Sequence, residues 1–189
     1  DIFWKVPIIN YIEMKEGILK KQIKYNFVTK EEIEEVEEIL KKQKNVNIDI
    51  LSQINNPTGR IKFKDIRKIS IGLDKNDICL KKNKTKSAFY NCFVVILRIF
   101  LEDKNEFKEI HVKIFNTGKL EIPGIQNEYV FNKVLDKILE ILQPLYDERL
   151  EYDKSKEETV LINSNFNCNY FINREVLFNI LKYEYNINC

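Results

Sequence analysis

The sequence predicts an α+β fold, an antiparallel sheet that carries its helices on one face. Three observations predict it. Over Ile114-Phe115-Asn116-Thr117-Gly118-Lys119-Leu120-Glu121-Ile122-Pro123-Gly124-Ile125 the apolar residues recur at every second position up to Phe115 and again from Leu120. With a Gly-containing turn between them, this is the pattern of two strands joined as a hairpin, because side chains alternate faces along a strand. A helical stripe of Phe131, Val134, Leu135, Ile138, Leu139 and Leu142 follows at once. Near the start of the chain, Ile23, Tyr25 and Phe27 alternate in the same way ahead of a second helical pattern.

Taken in order, residues 1–16 carry Phe3, Trp4, Ile8, Ile9 and Tyr11 and are expected to dock on the core. Residues 17–28 read as a strand with Ile23, Tyr25 and Phe27 on one face and Lys20, Gln22, Lys24 and Asn26 on the other. Thr29 is placed to cap a helix reaching about Lys42, with Glu32 completing a capping box and Ile33, Val36, Ile39 and Leu40 facing inward. Residues 43–88 are read as an insertion, with a turn at Asn55-Asn56-Pro57-Thr58-Gly59, strands or a short hairpin within 59–74, and a basic loop over Lys81–Lys86. Cys92–Leu101 is a continuous apolar run, the mark of a strand buried on both faces or bound on one of them. Ile110–Phe115 and Lys119–Ile122 form the hairpin, and the helix of about 127–142 stops before Pro144. After a charged linker at 147–158, Thr159–Tyr170 alternates once more, and Asn173 caps a last helix with Val176, Leu177, Ile180 and Leu181.

Composition narrows the function classes. The chain has 189 residues, 44% of them hydrophobic, with 31 basic against 29 acidic residues and a net charge of +2. Any basic surface must therefore be local. Four cysteines (Cys79, Cys92, Cys168, Cys189) lack CxxC spacing and a neighbouring His, so they read as buried thiols and not as a zinc site. His111 is the only histidine and has no partner at motif spacing. There is no Gly-rich phosphate loop, metal-ligand cluster or nucleophile–base pair. We therefore expect no enzyme activity, no cofactor, no metal and no small-molecule substrate. No apolar run approaches the ~20 residues that span a bilayer, and no signal peptide is visible, so an intracellular protein without membrane attachment is expected. The chain opens on Asp1 and not Met, as a fragment or processed form would.

The order strand, Gly-Lys turn, strand, long helix resembles the second half of one repeat of the TATA-box-binding protein family, whose repeats carry an Ile-Phe-x-x-Gly-Lys-x-x-x-x-Gly hairpin ahead of a helix. Here Ile114, Phe115, Gly118, Lys119 and Gly124 fill that pattern without a gap. Among variants, Ala88-Phe89-Tyr90-Asn91-Cys92-Phe93 and the Pro-Gly after the hairpin look like the divergent family members of large nucleocytoplasmic DNA viruses. The resemblance implies half of a saddle: a curved antiparallel sheet with helices on the convex face. Residues 1–16 would be an N-terminal extension and 17–143 a first repeat with its insertion at about 43–88. Ile162-Asn163-Ser164-Asn165-Phe166 shares three of five residues with Ile23–Phe27, 139 positions earlier. Residues 159–189 would thus begin a second repeat. The family's second-repeat Phe-Pro-Gly motif is absent from the sequence.

The resemblance also implies partners and a site. The concave sheet face would straddle the minor groove of double-stranded, AT-rich promoter DNA, with phenylalanine wedges between base pairs. General transcription factors or a viral RNA polymerase would bind elsewhere, within a viral factory in the host cytoplasm or nucleus. Phe115 matches one wedge; the other falls on Cys92, which cannot unstack a base step. The base-reading Asn falls on Lys20 and its apolar partner on Gln22. Other contact positions fall on Lys113, Glu121 and Pro123, with Lys119 in the turn and Asn163 and Asn165 in the second copy. Alternation gives Lys20, Gln22, Lys24 and Asn26 the same face independently. Such a polar, mostly basic surface suits phosphate contact more than apolar groove packing. Two other readings stand beside promoter recognition: a protein-interaction module on the same fold with weak or lost DNA binding, and an appendage to a nucleic-acid-processing enzyme. A sheet face that is simply solvated is the plain structural explanation.

Overall fold

A computed structural model describes residues 2–79, 90–163, 167 and 169–188. The expected basic loop Lys81–Lys86, along with Phe89, Asn165, Cys168 and Cys189, lies outside them. The chain divides into two units, Asp1–Tyr152 and Asp153–Cys189.

Alternating side chains make Gly17–Phe27 the strand β1, which is interior to the first unit's sheet. Thr29 caps α2 (Lys30–Lys41): its hydroxyl accepts from Glu32 N at 3.2 Å, and the Glu32 carboxylate accepts from Val28 N at 2.9 Å. Within the expected insertion, residues 43–79 supply β2 (Val46–Asn55), β3 (Phe63–Gly72), which falls in the 59–74 stretch expected to hold strands, and the short α3 (Lys75–Cys79). β4 (Cys92–Leu101), β5 (Glu106–Phe115) and β6 (Leu120–Glu121) follow, and α4 (Glu128–Leu142) is capped by the Asn127 side chain on Val130 N. The result is an α+β unit with one curved, six-stranded sheet ordered β2-β3-β1-β4-β5-β6, antiparallel at each pairing, so β2 and β6 are its edges. Register breaks between Ile18 and Lys20 and between Ile50 and Ser52 add twist. Gly72 must be glycine: its φ is +96°, and a Cβ would come within 2.1 Å of Leu19 O.

One face of this sheet carries α1 (Ile2–Lys5), α2 and α4. Val130, Val134 and Ile138 of α4 bury Val95, Leu97 and Ile99 of β4. Val36 and Leu40 of α2 bury Phe27, Ile69 and Ile71, and Phe3 of α1 joins that cluster. Each side chain so enclosed contributes about 1.5–3 kcal/mol. Phe3 is buried as expected for the N-terminal segment, and Val6, not among the residues the sequence singles out, is buried with it. The register also puts Lys21 on this face, opposite Val95. Its ammonium donates to the carbonyls of Phe3, Trp4 and Val6 at 2.7, 3.2 and 2.8 Å, holding the end of α1. Burial pushes the Lys21 amine down to about 8.

The second unit holds a 3-10 turn (Lys154–Lys156) and α5 (Arg174–Asn179), capped by the Asn173 side chain on the amides of Glu175 and Val176 and continued by a π turn over Ile180–Glu184. The described residues of 159–170, expected as a strand, form none; no neighbouring strand pairs their backbone. Val160, Leu161, Ile162 and Phe171 are exposed.

Candidate nucleic-acid interface

Opposite the helices, cross-strand rows define the other face, because residues paired across an antiparallel ladder point the same way. Gly72, Lys20, Ile96 and His111 make one row; Ser70, Gln22, Val94, Lys113 and Glu121 make the next. Lys68 lies opposite Lys24, and Cys92 opposite Phe115. The predicted set Lys20, Gln22, Lys24, Asn26, Cys92, Lys113, Phe115 and Glu121 therefore shares one face, as alternation required. Phe93 points the other way, its ring 5.7 Å from that of Phe3, so it cannot substitute for Cys92 as a wedge.

The face is not uniformly open. Lys20 is buried, and its ammonium is bound at 2.6 Å by Asp77, within α3, and at 3.4 Å by Asp74, just before it. The Glu109 carboxylate accepts from Lys75 N at 3.0 Å, clamping the same segment to β5. Arg98, also buried, donates to Tyr11 O at 3.0 Å and Glu13 O at 2.8 Å. A helix thus sits on the side expected to be bare, and Lys20 is a structural ion pair, closed to a phosphate. Burial works against ionisation of Asp77, but hydrogen bonds with Asp74 and Lys20 outweigh it and hold the carboxyl below its ordinary value.

Beyond α3 the face is partly accessible: Lys64, Lys68 and Val94 are half-buried, and Ile66 and Ser70 are buried. Gln22 is half-buried and donates to Ser70 Oγ at 3.1 Å. The Lys24 ammonium lies 3.6 Å from the Tyr90 ring centroid, a cation–π contact that orients the charge without neutralising it. Asn26 is exposed and Phe115 half-buried. Lys113 reaches Glu121 at 2.5 Å, which gives that carboxylate the partner its position demanded. Cys92 is buried, and burial pushes its thiol up against the opposing influence of Lys113. Lys119 and Pro123 are exposed beside the hairpin turn. Asn163 is exposed in the second unit, outside any strand. Cys79 is exposed, contrary to a buried thiol.

Sequence reading missed Lys64, Ile66 and Lys68 of β3, which share this face. Their alternation with Asp65, Arg67 and Ile69 was the available signal. The accessible part then carries Lys24, Lys64, Lys68, Lys113 and Lys119 against the carboxylates of Asp49, opposite Lys68, and Glu121. Among the described residues no cluster of three or more His, Cys, Asp or Glu could hold a metal ion, and no helix is long and apolar enough to cross a membrane. Comparison with family models, curated proteins and solved structures finds no match.

Proposed function

We propose that this chain is a divergent member of the TATA-box-binding class, a transcription initiation factor that holds duplex DNA on the accessible half of the sheet face opposite α2 and α4. The observation that carries the reading is the half-buried lysine pair Lys24 and Lys68 on the same face as Phe115, with α2 and α4 on the other side along that stretch. Support also comes from the Gly118-Lys119 turn between β5 and β6, with α4 next in the chain. The lysines of this face suit contact with phosphate and sugar, so selectivity among sequences is weak and affinity falls with salt. The half-buried Phe115 is the group placed to wedge a base step.

The test is fluorescence anisotropy on AT-rich and GC-rich duplexes across a salt series. We expect similar affinities for both and a slope of about −3 to −5, set by a handful of phosphate contacts. Lys24→Glu with Lys68→Glu should weaken binding at least ~10-fold and flatten the slope. Absence of binding at low salt, or an unaffected double variant, overturns the reading. A second reading is favoured by the ion pairs that close Lys20 and the carbonyls that hold Arg98: an interaction module on the same framework whose duplex binding has been lost. It predicts no duplex binding at any salt concentration.

A further inference from the structure

The sheet ends differently at its two edges. β6 has two residues and is followed two positions on by Pro123, which has no N–H, so that edge offers little to pair with. β2 has ten residues, and among the described residues no strand pairs its outer side. It contains no Lys, Arg or Pro, the residues that ordinarily keep a long edge from pairing, and its one charge is Asp49. Ile48 and Ile50 are 37% and 57% exposed.

The direction of the unpaired backbone groups follows from the ladder. Gly72 N donates to Asn45 O at 3.1 Å. Bonded pairs recur at every second position of an antiparallel ladder. Asn47 with Ser70 and Asp49 with Lys68 are therefore bonded pairs as well. The N–H and C=O groups of Val46, Ile48 and Ile50 must then point away from β3, to the open edge. After Ile50 the register breaks, which ends the regular part of that edge.

We infer that β2 is a homodimer seam: Val46–Ile50 pairs antiparallel with the same segment of a second copy, about a twofold axis at Ile48, and joins the two sheets into one. An open strand edge is completed by another extended strand. The occupant is a second copy because the segment is complementary to itself in one register. With Ile48 opposite Ile48, Val46 meets Ile50 and Asn47 meets Asp49. Outward-pointing groups then face outward-pointing groups and close about six backbone hydrogen bonds. The Asn47 amide, which donates to Asp49 of its own strand at 3.3 Å, gains a second carboxylate opposite it. The neighbouring registers set Asp49 against Asp49 or Ile50 against Lys44, so charge and polarity select this one. α2 packs on β1 and β3, a strand inward of the seam. The inference concerns the sheet edge and does not depend on duplex binding.

The first measurement is sedimentation velocity on the full chain over a concentration series reaching about 500 µM, because so short a strand pair makes a small interface and a weak dimer. A monomer–dimer equilibrium is expected. In hydrogen exchange, the amides of Val46, Ile48 and Ile50 should gain protection as concentration rises. Those of Asn47 and Asp49, bonded to β3, should be protected throughout. Asn47→Asp sets like charges opposite one another and should raise the dimer Kd about 5-fold. Asn47→Lys should lower it about as much, and added salt should shrink both effects. Ile48→Pro removes an N–H that only the dimer uses and should abolish association. If Ile48→Pro does not fold, the two Asn47 variants and the exchange pattern decide alone. A monomer at every concentration, a dimer whose edge amides stay unprotected, or Asn47 variants that move Kd in the same direction overturns the proposal.

Discussion

Lys20 and Lys21 are adjacent and chemically identical, yet the pleat sends them to opposite sides of the sheet with opposite consequences. Lys20 is neutralised by two carboxylates. Lys21 has only carbonyl acceptors, and burial lowers it from 10.5 to about 8. Between those two pH values the unfolded chain holds a proton that the native state has released. Stability therefore rises with pH across this window, and below about 8 the full cost of burying the charge is present. The shift corresponds to about 3 kcal/mol. Urea denaturation should show this rise in the natural protein and its loss in Lys21→Met. At neutral pH the variant escapes the cost of burying the charge but leaves the carbonyls at the end of α1 without their donor. An unchanged pH profile in Lys21→Met would assign the effect to another group.

Among the elements, α3 most affects how the molecule can be used. Its ion pairs occupy the innermost lysine of the basic face. Asp77→Asn removes the shorter pair, and we expect duplex affinity to rise about 3-fold, with a salt slope steeper by about one as Lys20 gains a phosphate. A loss of affinity would mean that α3 braces the surface and does not mask it. The Asp77 carboxyl is held below its ordinary value of 3.8, so its contribution is present at neutral pH and fades as pH falls through the lowered value. α3 itself was not legible in the sequence. Lys75-Asn76-Asp77-Ile78-Cys79 has too few residues to show a period, and it is placed by Lys20 and Glu109, which are 57 and 34 positions away. Longer elements were legible where a period persisted: the apolar run Cys92–Leu101 is β4 without adjustment, and Thr29 and Asn127 mark helix starts through their own side chains. β2 escaped because Ile48, Ile50, Leu51 and Ile54 straddle a register break that spoils their alternation. The common face of Gln22, Lys24, Lys113 and Phe115 could be read from period two alone. The closure of Lys20 could not, because it depends on a contact between distant segments.

At the scale of the whole molecule, the first unit is a sheet shared by two sides. One side carries two apolar clusters beneath three helices. The other is divided between a portion capped by α3 and residues 11–13 and a portion exposed to solvent. Such an arrangement keeps a polar surface on a rigid support, since α1, α2 and α4 supply stability from the opposite side. β4 lies at the crossing of these layers. β1 and β5 flank it, α4 covers Val95, Leu97 and Ile99, and Ile96 and Arg98 are closed over on the reverse. Enclosed in every direction, it has no local route by which solvent can reach its amides, so only global opening can expose them. In deuterated buffer the protons of Val95–Ile99 should be the last in the chain to wash out, and their common rate would serve as a clock for unfolding of the entire first unit.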